Sequence, residues 1–347
     1  MEARSGRPII MACSRSSTSH QITDRDSADG AGMPWRQPPE YNGPMALSPL
    51  VRLGTSTWTY EGWQGEVYKQ HYPKGRFKQD CLAEYARYEH DGEPLFRTVG
   101  FDFTFYGPPT TKQLEHYASL VPRGFEACAK VWEEITIPEF PPGLRYRSKA
   151  GPNPRFLDAD YFLDQVLPPF AQAFEAHTGP FIFEFQRTGL DPSTFLPKLE
   201  AFLRRLPTRF SYAIEVRNPA VIGPDYRRIL EIHGGSHVYN HLYAMPTLTQ
   251  QHEKLAQQFT APFILLRLLT PRDKKYHEAV KAYEPYDKLV RPLPDMRASS
   301  VRLVRQAIEE RRRAYVLVNN RSEGHAPGTV KAIRDILIQQ EKTSENT

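Results

Sequence analysis

Cysteine is scarce in this sequence. Three residues, Cys13, Cys81 and Cys128, in a chain of 347 cannot make a disulfide framework, and their spacing matches no zinc-binding pattern. So few thiols fit a reducing compartment, and a cytoplasmic location is expected. Long hydrophobic runs are also missing: no stretch approaches the roughly 18 apolar residues of a membrane span, so no membrane partner is expected. The N-terminus lacks an apolar signal core, and Glu2 and the acidic residues from Asp24 onward do not suit an organelle-targeting peptide. The first β-like run is not followed by the glycine-rich turn that marks dinucleotide binding. Nor is there an H-E-x-x-H or comparable spacing. Most of the 11 histidines, including His90, His177, His252, His277 and His325, fall in helical or loop stretches. Asp102, Glu184, Glu215 and His241 are the alternative source of a hard-cation site, but the expectation is no metal and no cofactor.

What the chain does have is aromatic and proline content, with 19 Phe, 18 Tyr and 31 Pro, enough for a substantial core cut by many sharp loops. Residues 1–48 are rich in Ser, Gly, Pro and Arg without a period and read as a disordered extension. Residues 342–347 read as a disordered tail. Between them, β-rich runs alternate with helical stretches. The strand candidates are Val51–Thr57, Arg97–Phe103, Phe125–Val131, Phe181–Gln186, Tyr212–Arg217, His237–Asn240, Phe263–Leu268 and Ala314–Asn319. Helical stretches include Gln79–His90, Thr110–Leu120, Tyr161–Ala176 (interrupted by Pro168 and Pro169), Ser193–Arg205, Asp225–His233, Ser299–Arg312 and Thr329–Gln340. Alternation of this kind implies a parallel sheet. Eight β/α units across 49–341 predict one α/β domain, a closed (β/α)8 TIM barrel, over a doubly wound open sheet.

In that frame the motifs GTSTWTYEGWQGEVY, VGFDFTFYGPP, FEACAKV, GPFIFEF, AIEVRNP, LLRL and YVLVNNRSEGHAP come in an order and spacing that resembles the DUF72 (YecE-like) family. The likeness covers roughly Leu53 to Leu337 and implies a TIM barrel. It implies no reaction, since none is established for the family in general. Against the family pattern, Gly100 and Asp102 stand where Glu and Asn are usual, and Glu184 where Gln is usual. Leu269 and Thr270 replace the usual His-Gly after the seventh strand. The chain resembles a divergent member.

Strand side chains alternate, so residues two apart share a face. This groups Asp102 with Thr104 and Tyr106, Glu184 with Gln186, and Glu215 with Arg217. Lys130 and Arg267 join them at strand carboxyl ends, where barrel enzymes bind ligands. A ring of three acids and three bases either closes the barrel as mutual salt bridges or tunes one member for proton transfer. The catalytic candidates are Glu215, as general acid or base, with Lys130, Asp102 and Glu184. The substrate-binding candidates are Trp58, Tyr60 and Tyr106 for stacking, and Arg217, Asn218, Arg267, Asn319, Asn320 and Arg321 for oxygens. The formal charge is only +5, yet Arg267–Arg313 holds 13 Lys+Arg against 7 Asp+Glu. A solvated basic face accounts for this, or an anion bound between the seventh and eighth loops, with free N–H groups at the start of the last helix. The functional expectation is an acid–base enzyme on a phosphorylated or phosphodiester substrate, its partner a small anionic ligand. The alternatives are a non-catalytic binder of nucleic acid or another polyanion, and a glycoside hydrolase built on Glu184 and Glu215. The sequence carries no sign of oligomeric state.

Overall fold

The computed structural model describes residues 47–73, 75–143 and 150–345, with side chains as far as 340. Eight strands close a parallel barrel: β1 (Val51–Thr55), β2 (Thr98–Phe101), β3 (Glu126–Lys130), β4 (Thr178–Phe185), β5 (Tyr212–Val216), β6 (Ser236–His241), β7 (Phe263–Leu268) and β8 (Arg313–Val318). Each pairs with its neighbours in the chain, and β1 pairs with both β2 and β8 to close the ring. Helices such as Thr111–Leu120, Pro192–Leu203, Pro224–His233 and Pro294–Glu309 cover the outside. Sandwiched between helices and barrel interior, these strands are buried on both faces, and β7 reads FILLRL with every residue buried. Among the described residues no helix is long and apolar enough to cross a membrane.

Alternation along the strands sorts the interior into layers. Cys128, Ile182, Ala213, Val238, Leu265 and Leu317 form an apolar middle. Two residues further along the same strands come Lys130, Glu184, Glu215, Asn240, Arg267 and Asn319, and register places Glu184 beside Glu215 and Asn240 beside Arg267. The polar set therefore shares the carboxyl end of the barrel. At the other end Glu126 accepts from Arg313 (2.7 Å) and from the Tyr315 hydroxyl (2.6 Å).

The β1–β2 seam depends on two glycines. A Cβ on Gly54 would lie 2.0 Å from the Thr98 carbonyl oxygen, and one on Gly100 would lie 2.7 Å from that of Ser56. A glutamate at 100, usual in the resembled family, therefore requires the end of β1 to move.

Several boundaries differ from expectation. The expected extension lies outside the described residues except for Leu47, which is buried in the core, and Ser48, whose carbonyl accepts from Val51 N. At the other end, the last helix runs Ala326–Glu345, past the boundary expected at 341. Gln79–His90 is two short helices, Phe77–Asp80 and Leu82–Tyr85, followed by a small hairpin of Glu89–His90 with Glu93–Pro94. The double proline does interrupt its helix. Phe162–Val166 is a π turn, and Leu167–Ala173 resumes with proline in its first turn, where a missing N–H costs nothing.

Candidate functional site

Arg267 organises the barrel mouth. Its Nη1 donates to Glu184 Oε2 (3.0 Å) and to Glu215 Oε2, and its Nη2 to Asp102 Oδ1 (3.1 Å). Glu184 also accepts from Lys130 Nζ (2.8 Å), Arg217 Nη2 (2.7 Å) and Gln186 Nε2 (2.6 Å). Arg217 Nε reaches Glu215 at 3.2 Å. All six expected members thus converge, with three charges of each sign. Burial alone would raise the Glu184 pKa, but Arg217, Lys130 and Arg267 outweigh it and hold the carboxyl well below its usual range. Arg267 is likewise desolvated, and Glu215, Asp102 and Glu184 keep it firmly cationic.

Burial within the ring is graded. Glu184, Glu215 and Arg267 are 1%, 0% and 2% exposed, whereas Lys130, Arg217 and Asp102 are 12%, 22% and 34% exposed. The mouth therefore has a locked lower tier and a solvent-facing upper tier. The geometry does not favour a glycosidase pair: Glu184 and Glu215 are both closed off from solvent and engaged by Arg267 and Arg217. Arg267 lies where the three carboxylates meet, and His241, neutral with its pKa pulled down to about 4 by burial, engages the Thr270 carbonyl through Nδ1 (2.9 Å).

The residues beyond the ring divide. Strand β2 ends at Phe101, and Asp102–Tyr106 winds into a 3-10 turn, so the expected alternation stops there. The Thr104 hydroxyl drives the turn, facing the Phe101 and Lys130 carbonyl oxygens at 2.6 Å each. Tyr106 is left 66% exposed, away from Thr104. Trp58 is core rather than a stacking platform: it is buried against Phe101, Phe103 and Tyr117, with ring centroids 5.2–6.0 Å away. Asn218 is occupied in its own loop, donating to Leu190 O (2.9 Å) and accepting from Ala220 N (3.1 Å).

Tyr60, Asn319, Asn320 and Arg321 meet in a cavity of about 330 Å³ between the loops after β1, β7 and β8. Arg267, also expected to bind substrate oxygens, does not line it. The N–H groups expected free at the last helix are also taken: Ala326 N donates to Asn320 Oδ1 (2.9 Å) and Gly328 N to His325 Nδ1 (3.2 Å). The same cavity is lined by Ser56, Trp63, Tyr276 and Tyr286, none of which was among the expected binding residues. Ser56 and Trp63 lie just past β1, within the motif GTSTWTYEGWQGEVY. Tyr276 and Tyr286 join them only because the segment after β7 folds back, setting Tyr286 5.6 Å from Tyr60 between ring centroids.

The family model described as "Protein of unknown function DUF72" matches residues 52–347. A crystal structure of a DUF72 family protein from Enterococcus faecalis V583 superposes with a TM-score of 0.60 at 17% identity, covering 83% of this chain and 95% of that one. One from Thermotoga maritima MSB8 gives 0.57 at 19% identity, covering 83% and 98%. At these identities the likeness is one of fold. No curated protein matches the sequence.

Proposed function

This chain belongs to the DUF72 family, whose function is unknown, and we propose that it is an acid–base enzyme whose substrate carries a phosphate, as monoester or diester. The observation that carries the proposal is the graded burial of the charge ring. Glu184, Glu215 and Arg267 are enclosed and bonded to one another, so their role is positioning. They hold Lys130 and Arg217 at the mouth as oriented cations, already desolvated on one side, where a phosphate gains most from charge-assisted hydrogen bonds. Asp102, the most exposed carboxylate of the ring, bonds Arg267 through one oxygen and is the group placed to exchange a proton with substrate. Glu215, the first choice from sequence, becomes the residue that orients Arg217.

The test is turnover by the full chain of a panel of phosphomonoesters and phosphodiesters. Asp102→Asn should lower kcat by about 100-fold or more with KM little changed, and Arg217→Gln should act chiefly on KM. A panel with no turnover, or an Asp102→Asn variant as active as wild type, would overturn the proposal.

A further inference from the structure

The cavity between the first, seventh and eighth loops touches none of the six ring residues, and its chemistry differs from theirs. Three of the groups that line it carry buried polar atoms without a hydrogen-bond partner among the described residues: Ser56 Oγ, Trp63 Nε1 and Arg321 Nε. Ser56 and Trp63 are each 1% exposed. Unsatisfied buried donors are costly, and a cavity beside them is where a partner would come from. All three can donate, so the missing partner must be rich in acceptors.

Its shape and charge narrow the class further. Tyr60 stands edge-on to both Trp63 (5.7 Å) and Tyr286 (5.6 Å), and the Arg321 guanidinium lies 4.4 Å from the centre of the Tyr276 ring. Aromatic walls of this kind favour a flat ligand. Glu284 also lines the cavity and, among the described residues, Arg321 is the single cation of its lining, already seated over the Tyr276 ring. No pair of cations therefore faces the space as at the ring, and a neutral ligand fits better than an anion. The amide nitrogens of Asn319 and Asn320 add donors for an edge, their oxygens being taken by Arg321 N and Ala326 N. At about 330 Å³ the space is at the small end of ordinary ligand pockets.

We infer that this cavity is a binding site for a neutral, planar, acceptor-rich heteroaromatic ring of the nucleobase class. Ring carbonyls and ring nitrogens take the donors of Ser56, Trp63 and Arg321, and the edge-packed rings of Tyr60, Trp63 and Tyr286 give the ligand an aromatic wall. A free nucleoside and an unpaired base of a single strand present the same chemistry. The site does not depend on the reactivity of the charge ring, and neither reading falls with the other.

Calorimetric titration of the full chain with adenosine, guanosine, cytidine and uridine tests this, with a short single-stranded oligonucleotide, sucrose and inorganic phosphate as further arms. At least one nucleoside should bind, and sucrose and phosphate should not compete for it. Ser56→Ala removes a hydroxyl that has no partner among the described residues, so it should leave the melting temperature unchanged and weaken binding. Arg321→Gln should weaken it by about tenfold. Oligonucleotide binding without free-nucleoside binding, lost in both variants, would assign the site to a base within a strand. Binding of no base in either form, binding unaffected by both substitutions, or displacement by sucrose or phosphate would overturn the inference.

Discussion

Replacing Arg267 with glutamine strands the lower tier of the charge ring. Arg267 is 2% exposed and bonds Glu184, Glu215 and Asp102. Without it Glu184 keeps Lys130 and Arg217, but Glu215 keeps only the 3.2 Å contact to Arg217 Nε. Removing one partner of a buried pair costs about 3–5 kcal/mol, because an uncompensated charge is left behind. That cost should be read by urea unfolding at pH 7. Its pH dependence follows from Glu184. A carboxyl held below its unfolded pKa contributes stability that is fully present above about pH 4.5 and lost as pH falls through the folded value. Wild type should therefore weaken progressively below about pH 4.5. In Arg267→Gln, Glu184 has lost one of the three cations that hold it ionised and protonates more readily, so the gap to wild type should narrow as the solution is acidified. A loss under about 1 kcal/mol at pH 7, or a gap that stays constant down to pH 3, would refute the reasoning.

Other substitutions separate packing from binding. Trp58→Ala should cost about 3–5 kcal/mol as a core truncation, measured by the same unfolding assay, and should leave phosphate and nucleoside affinities of the folded fraction intact. Gly100→Ala sets a Cβ 2.7 Å from the Ser56 carbonyl oxygen and should cost about 1–3 kcal/mol; a neutral result would mean that the β1–β2 seam can open freely. Burial pushes the Cys81 and Cys128 thiols up to about 12. In a Cys13→Ser variant, a thiol reagent at pH 8 should therefore find almost no reactive sulfur until the protein unfolds.

The barrel was legible because its strands are short apolar runs with clear breaks, and Phe263–Leu268 is the same segment in sequence and structure. The ring was legible for a related reason. Charged residues punctuate otherwise apolar strands, and period-two alternation sends Glu184, Glu215 and Arg267 to one face. What sequence could not convey were events set by single hydrogen bonds or distant returns of the chain. The Thr104 hydroxyl ends β2 two residues before the expected boundary. The ring of Trp58 is claimed by Tyr117, far along the chain. The cavity that gathers Tyr60, Asn319, Asn320 and Arg321 needs Tyr276 and Tyr286, which sit in a stretch whose basic residues drew attention to charge instead. Free N–H groups at the last helix were a sound expectation from Gly324 and Pro327, but Asn320 and His325 already accept from them.

The central claim is that Lys130 and Arg217 are held ready for an anion above a locked base of Glu184, Glu215 and Arg267. Calorimetric titration of inorganic phosphate at constant ionic strength, into wild type and into Lys130→Gln, tests it most directly. Wild type should bind phosphate saturably, and Lys130→Gln should bind it about tenfold more weakly and melt lower than wild type, because buried Glu184 loses one of its cations. Phosphate that fails to bind, or that binds the two proteins equally, would contradict it.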